Sequence, residues 1–405
     1  MMLAVAALVG ALAFFVHEYL TVRATRQGWS TGYGRRLALL LLVAAAGMLG
    51  AIVRPGNPLD ALTSGLVDST TPDDARGDPL LRKALAGQRP ERPFPAGGSR
   101  EDVDVWRAHV LEQLRARIRL DAVPPHVPHE VVRTEDLGGI RRTLIRFESF
   151  DGTLIPAYVH EPAGDGPRGG ILVVPGHGQG IRATSGLERD YQHGAALELA
   201  RQGYVTLTSE SRGLGMLAPD GLPTHRAVAY AALEAGTFYK AIVVQDLARA
   251  LTVVQHWRGV DPGRLAVAGT SLGGELAVLL AVLDARAGVV ISQSYGGEAG
   301  PTSVPSWVND TVKQTPHGCH TIPGINRLVL EEDWFRLLAP RPLLVVRGDE
   351  NLASTREEFR RAVDEAYSIS GEPERFTFAI EPGGHQFYMA PAVQFLEKWL
   401  SEQNR

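Results

Sequence analysis

Five residues, Gly269-Thr270-Ser271-Leu272-Gly273, carry the pattern G-x-S-x-G. A serine in that pattern can act as a nucleophile when a short strand runs into it and a helix leaves it. By composition alone, about one chain in five of this length would contain the pattern, so its setting decides its meaning. The setting fits. Leu265–Ala268 is a short apolar run, and Leu272–Leu283 has the length and apolarity of a buried helix. Ser271 then sits on a tight strand-to-helix turn, with glycines where neighbouring backbones leave no room for a Cβ. The Leu272 N–H and the helix dipole point at charge that develops beside the serine.

Such a serine needs a base and a second N–H donor. The loop Pro175-Gly176-His177-Gly178-Gln179-Gly180 follows the expected strand Gly170–Val174. Its glycines allow close backbone approach, and the His177 N–H is the expected donor, with Gly178 next. The His177 imidazole is expected to line the pocket or cap a turn. The base is His385, between the last expected strand, Arg375–Ile380, and the last helix, Ala392–Gln403. The acid behind it should follow strand Pro342–Val346, where the chain reads Arg347-Gly348-Asp349-Glu350-Asn351. The usual position, three residues past the glycine, is Asn351, which can accept a bond from the histidine but brings no charge. Asp349 ranks first as the acid, with Glu350, Asn351 and Glu298 as alternatives. His317-Gly318-Cys319-His320 gathers two histidines and the chain's single cysteine. Tetrahedral zinc needs further ligands at a fixed spacing that the sequence does not display, so no metal and no cofactor is expected.

The surrounding elements could position these groups. Arg141–Phe150 and Thr153–His160 flank Asp151-Gly152 as a β-hairpin. Short apolar strands then alternate with helices to the end of the chain. The expected fold class is α/β: a mostly parallel sheet with an antiparallel N-terminal hairpin edge and helices on both faces. Asp102–Leu120 has helical spacing of Val103, Trp106, Val110, Leu111, Leu114 and Ile118. Gly213–Ile242 and Gly296–Leu338 interrupt the alternation at strand ends and are expected to wall the pocket.

The N-terminal part reads differently. Residues 1–53 contain two apolar runs, Met1–Leu20 and Leu37–Val53, joined by a loop with Arg23, Arg26, Arg35 and Arg36. They are expected to form two transmembrane helices with the arginine loop in the cytoplasm. Residues 54–100, rich in Pro, Gly and charge, are expected to be a flexible linker. Residues 101–405 would then be a catalytic domain on the outer side of a bacterial cell membrane. The net charge of −4 and the lack of a basic stripe argue against nucleic-acid binding. With one cysteine the chain has no intrachain disulfide.

Several segments together resemble the α/β-hydrolases of the dienelactone hydrolase and acetyl-xylan esterase (cephalosporin-C deacetylase) type. They are Pro175-Gly176-His177-Gly178, Ser211-Arg212-Gly213-Leu214-Gly215, Val260-Asp261-Pro262-Gly263-Arg264 and Gly269-Thr270-Ser271-Leu272-Gly273-Gly274. Cys319 with Ile322-Pro323-Gly324, Ala339-Pro340-Arg341-Pro342-Leu343-Leu344 and Gly384-His385 complete the set. The resemblance covers about Asp102 to the end. It implies an α/β-hydrolase fold, Ser271 as nucleophile, His385 as base and N–H groups of Leu272 and His177 as oxyanion donors. It also implies a small-molecule ester substrate, with acetyl groups on carbohydrate foremost. Glu210 stands where the family turn motif has aspartate, and Asn351 stands where the family has its acid. The rival readings are a serine peptidase of the prolyl-oligopeptidase type and a catalytically inactive binding module.

Overall fold

The computed structural model describes residues 88–400, except 121, 165, 219–223 and 301–317. Its sheet has nine strands in the order β1-β2-β3-β5-β4-β6-β7-β8-β9. These are β1 His129–Asp136, β2 Ile140–Glu148, β3 Leu154–Pro162, β4 Arg168–Val174 and β5 Val205–Ser209. The others are β6 Val260–Thr270, β7 Val289–Gln293, β8 Leu343–Gly348 and β9 Phe376–Glu381. The pairs β1/β2, β2/β3 and β3/β5 are antiparallel, and every later pair is parallel.

The parallel strands are covered on both faces, which is why they read as unbroken apolar runs. Successive side chains still alternate. Leu172, Val174, Leu265 and Val267 enter one core with the helices Arg100–Ile118, Tyr239–Gln255 and Leu272–Leu283. Ile171, Val173, Ala266 and Ala268 enter a second core with Ala195–Arg201 and Met389–Trp399. Every residue of Leu272–Leu283 is buried, so the helix behind Ser271 is locked between the sheet and its neighbours.

The structure differs from the expectation in three places. β1 adds an edge strand ahead of the expected hairpin. Its residues are nearly all exposed, so no period-two apolar signal marks it. Gly213–Ile242, expected only as a break in the alternation, contains the helix His225–Glu234 and the first turn of Tyr239–Gln255. The domain also begins before residue 101. Phe94 is buried edge-on against Trp106, with ring centroids 5.1 Å apart, and the Glu91 N–H donates to the Arg327 carbonyl at 2.8 Å. A lone phenylalanine in a Pro-rich stretch has no periodicity to reveal this packing. Ser99 and Asp102 then close a capping box that starts the helix at Arg100.

The two apolar runs of residues 1–53, and the expected linker as far as residue 87, lie outside the described residues. Among the described residues, no single helix is long and apolar enough to cross a membrane.

Candidate active site

β6 ends at Thr270 and the next helix begins at Leu272, so Ser271 alone must turn the chain. It does so at φ 62° and ψ −128°, a region that residues with a Cβ avoid. Strain of this kind persists only where the surroundings over-determine it. Here the Ser271 N–H donates to the Gln293 carbonyl of β7 at 2.8 Å. A Cβ on Gly269 would lie 2.1 Å from the Gly273 carbonyl oxygen, and one on Gly273 would lie 2.1 Å from that of Val174. Both glycines of the motif are therefore required by backbone contact. Leu272, as the first helical residue, has no carbonyl one turn earlier to receive its N–H.

The loop after β4 is fixed opposite the elbow. The Gly176 N–H donates to the Gln192 side-chain oxygen at 2.8 Å, and Gly178 takes φ 124°. Tyr191 donates its hydroxyl to the His177 carbonyl at 2.5 Å. That hydroxyl lies beside the Ser271 side chain, and the tyrosine ring packs on His385 with centroids 5.1 Å apart. Burial raises the phenol far above its ordinary range, so Tyr191 stays a neutral donor. It touches Ser271, His385 and the loop that carries His177, and sequence reasoning missed it. Tyr191 was expected to open a helix, yet the helix starts at Ala195, which leaves the tyrosine in a turn.

Glu210 anchors the same loop from beneath. Its buried carboxylate accepts N–H groups from Ile181, Ser211 and Met216 at 3.4, 3.3 and 3.0 Å. It is structural, as the turn motif suggested. Burial pushes its carboxyl up to about 7 from an ordinary 4.5. Because the folded value is the higher one, the folded state holds a proton that the unfolded chain has lost. This contribution to stability is full below about 4.5 and is lost as pH rises through about 7. Glu210→Gln should remove about 1–3 kcal/mol of that pH-dependent loss. Urea midpoints of both proteins at about pH 5 and about pH 8 test this, and parallel slopes would count against it.

His385 stands on a loop held from several sides. The Phe387 N–H donates to the Tyr191 carbonyl at 2.9 Å and the Tyr388 N–H to the Gln293 side-chain oxygen at 2.5 Å. The Gln293 amide returns a bond to the Tyr388 carbonyl at 3.1 Å, and the Ser294 hydroxyl donates to the Gln386 carbonyl at 3.0 Å. Gln293 therefore holds Ser271 through its backbone and the His385 loop through its side chain. His385 as a residue is exposed, with one side of its ring covered by Tyr191. Among the described residues no hydrogen bond joins it to Ser271 or to a carboxylate; such contacts commonly close only when substrate is bound.

Asp349, the first-ranked acid, is held by a backbone amide. Asp349 opens a tight turn, Asp349–Asn351, and its carboxylate accepts the Gly383 N–H at 2.8 Å. The register of β8 beside β9 pairs Gly348 with Glu381 and so brings Asp349 beside Gly383. Glu350 and Asn351 reach further. A Cβ on Gly384, next to His385, would lie 3.1 Å from a Glu350 carboxylate oxygen and 3.2 Å from the Asn351 side-chain nitrogen. The Glu298 N–H meets the Glu331 carboxyl, which burial and then the Glu298 charge push well above the carboxylate range.

The charge that acts on His385 is positive. Partial burial, then the Arg347 guanidinium, hold its imidazole below the ordinary 6.5. Arg347 donates to the Gly296 and Asn351 carbonyls at 2.7 and 2.8 Å, which fixes it between the two loops. A base must be neutral to accept a proton, so the acid limb of kcat/KM against pH should fall below 6.5. Arg347→Gln should move that limb upward and Arg347→Lys should leave it in place. A limb unchanged in both variants would show that Arg347 has no influence on the base.

A second cluster lies beside the His177 loop. His177 Nε2 lies 3.4 Å from Cys319 Sγ, and the His177 ring centroid lies 4.7 Å from that of His225 and 5.4 Å from that of His320. His320 donates through Nδ1 to Glu275 at 2.6 Å, and the buried Lys240 also pairs with Glu275. Burial pushes the Cys319 thiol up to about 12. The sequence placed Cys319 and His320 together, but His177 joins them from another loop, 142 residues away.

Residues 140–295 match the family model for acetyl xylan esterase. No curated protein matches the chain in sequence. Among solved structures, a candidate acetyl xylan esterase from Bacteroides fragilis superposes with TM-score 0.64 at 17% identity, covering 83% of this chain and 93% of that one. A glucuronoyl esterase from Solibacter usitatus gives 0.56 at 14% identity, with 77% and 99% covered. An acetyl xylan esterase from Paenibacillus sp. R4 gives 0.51 at 18% identity, with 78% and 99% covered. These likenesses establish the α/β-hydrolase fold. With the family match across the elbow and the oxyanion loop, the chain is a carboxylic ester hydrolase.

Proposed function

We propose that the chain is a serine esterase that removes small acyl groups, acetyl foremost, from carbohydrate or cell-envelope molecules. The backbone of Ser271, forced to φ 62° at a helix N-terminus, is the observation that carries this reading. Ser271 Oγ attacks the ester carbonyl while His385 takes its proton, and the Leu272 and His177 N–H groups hold the oxyanion. His385 then passes the proton to the departing alcohol. Water, activated by the same imidazole, releases the acyl group and restores Ser271.

In this reading the third member is Asn351. Its amide orients His385 by accepting the ring N–H, without the charge that stabilises an imidazolium. Asp349 instead braces the loop at Gly383. Turnover is correspondingly modest. The acyl preference follows from the acetyl xylan esterase model that residues 140–295 match. The two apolar runs in residues 1–53 would tether the enzyme to a bacterial cell membrane with this domain outside.

Hydrolysis of p-nitrophenyl esters of increasing chain length, set against aminoacyl-naphthylamides, tests the proposal. Acetate should be cleaved fastest and amides not at all. Faster amide cleavage would support a peptidase, and no cleavage of any ester would support the inactive binding module.

A further inference from the structure

We propose that His177, Cys319 and His320 form a binding site for one soft divalent cation of the zinc class. Each residue offers a ligand atom, and the three atoms lie within 4.8 Å of one another. In a tetrahedral zinc centre, Zn–S of about 2.3 Å and Zn–N of about 2.0–2.1 Å place sulfur and nitrogen about 3.5 Å apart. His177 Nε2 and Cys319 Sγ are 3.4 Å apart, so this pair already stands at ligand spacing.

The surroundings prepare the third ligand. His320 Nδ1 lies 2.6 Å from the Glu275 carboxylate, so that nitrogen carries the proton and the lone pair is on Nε2. A carboxylate behind a histidine is the arrangement that orients metal-bound imidazoles and raises their basicity. Glu275 is itself buried and tied to Lys240. Two imidazoles and a thiolate select zinc-like ions over magnesium or calcium, which need oxygen ligands. Cys319 is fully buried, whereas His177 and His320 are partly exposed, which gives an ion a way in and leaves a fourth position for water. On binding, the thiol releases its proton to solvent and no electrons are transferred. The bound ion would tie the imidazole of His177 to the Gly318–His320 turn.

The full chain, without a polyhistidine tag and stripped with a chelator, is titrated with zinc against a chromophoric competitor and then loaded with cobalt(II). One zinc per chain is expected, with a tetrahedral cobalt spectrum that includes a thiolate-to-cobalt band. Cys319 is the chain's only cysteine, so that band in the wild-type protein assigns the ligand without any variant. His320→Ala should weaken zinc binding by about 100-fold or more, since disturbing only the group behind a ligand typically costs about 10- to 100-fold. Sub-stoichiometric zinc, or zinc bound with no thiolate band, would overturn the site and leave an ordinary thiol–imidazole hydrogen bond. Neither readout uses ester turnover, so failure of the metal site and failure of the esterase reading are separable.

Discussion

Ser271→Ala is expected to lower ester turnover by about 10⁴-fold or more, with the fold intact. The loss is large because the histidine has nothing to activate once the hydroxyl is gone. The residual rate should come only from the N–H groups and from substrate binding. Stability should change little, because alanine must adopt the same strained turn that the bond to Gln293 imposes on serine. Ser271→Gly gives a second check. Glycine tolerates positive φ, so this variant should be inactive yet more stable, by roughly 1 kcal/mol. Turnover by Ser271→Ala within about tenfold of wild type would remove the serine from the chemistry.

Asn351→Asp is expected to act in the opposite direction. In a serine protease the reverse change costs about 10⁴ in turnover, because the histidine loses both its correct tautomer and its countercharge. Introducing the charge here should raise kcat by about 10²-fold, short of that bound because Arg347 competes for the new carboxylate. It should also move the acid limb of the pH profile upward, as a neighbouring negative charge favours the imidazolium. Glu350→Gln should change little. If instead Asn351→Asp is silent and Glu350→Gln is severely impaired, Glu350 is the working acid. A pH limb that moves without a change in kcat would mean that the aspartate reaches the ring but not in a productive orientation.

Legibility in the sequence followed local physics. The elbow was readable because a strand, two obligatory glycines and an all-apolar helix are contiguous in the chain. The Leu272–Leu283 helix has the bounds its apolarity suggested. The parallel strands were readable because burial on both faces leaves unbroken apolar runs. β1 was not, since an exposed edge strand has no apolar face to display. Phe94 was hidden for a related reason: one aromatic among prolines makes a contact without making a pattern. Contacts between distant loops were the least visible. Tyr191 packs on His385 across the sheet's rim, and Arg347 acts on the same ring from a different strand end. Nothing in the local sequence of either residue signals the partner. The acid illustrates the limit most clearly. Composition offered three carboxylates near the right place, whereas strand register decided that Asp349 meets a backbone amide. The histidine–cysteine cluster was half legible, as its third member arrives from the oxyanion loop.

The central claim is that Ser271 is the activated nucleophile of an ester hydrolase. Labelling the purified chain with a fluorophosphonate and mapping the adduct by peptide mass spectrometry tests it most directly. The adduct should fall on Ser271, form in step with the loss of p-nitrophenyl acetate turnover, and be absent from both Ser271→Ala and the unfolded protein. An adduct on any other residue, or full turnover by a chain whose Ser271 is completely labelled, would contradict it.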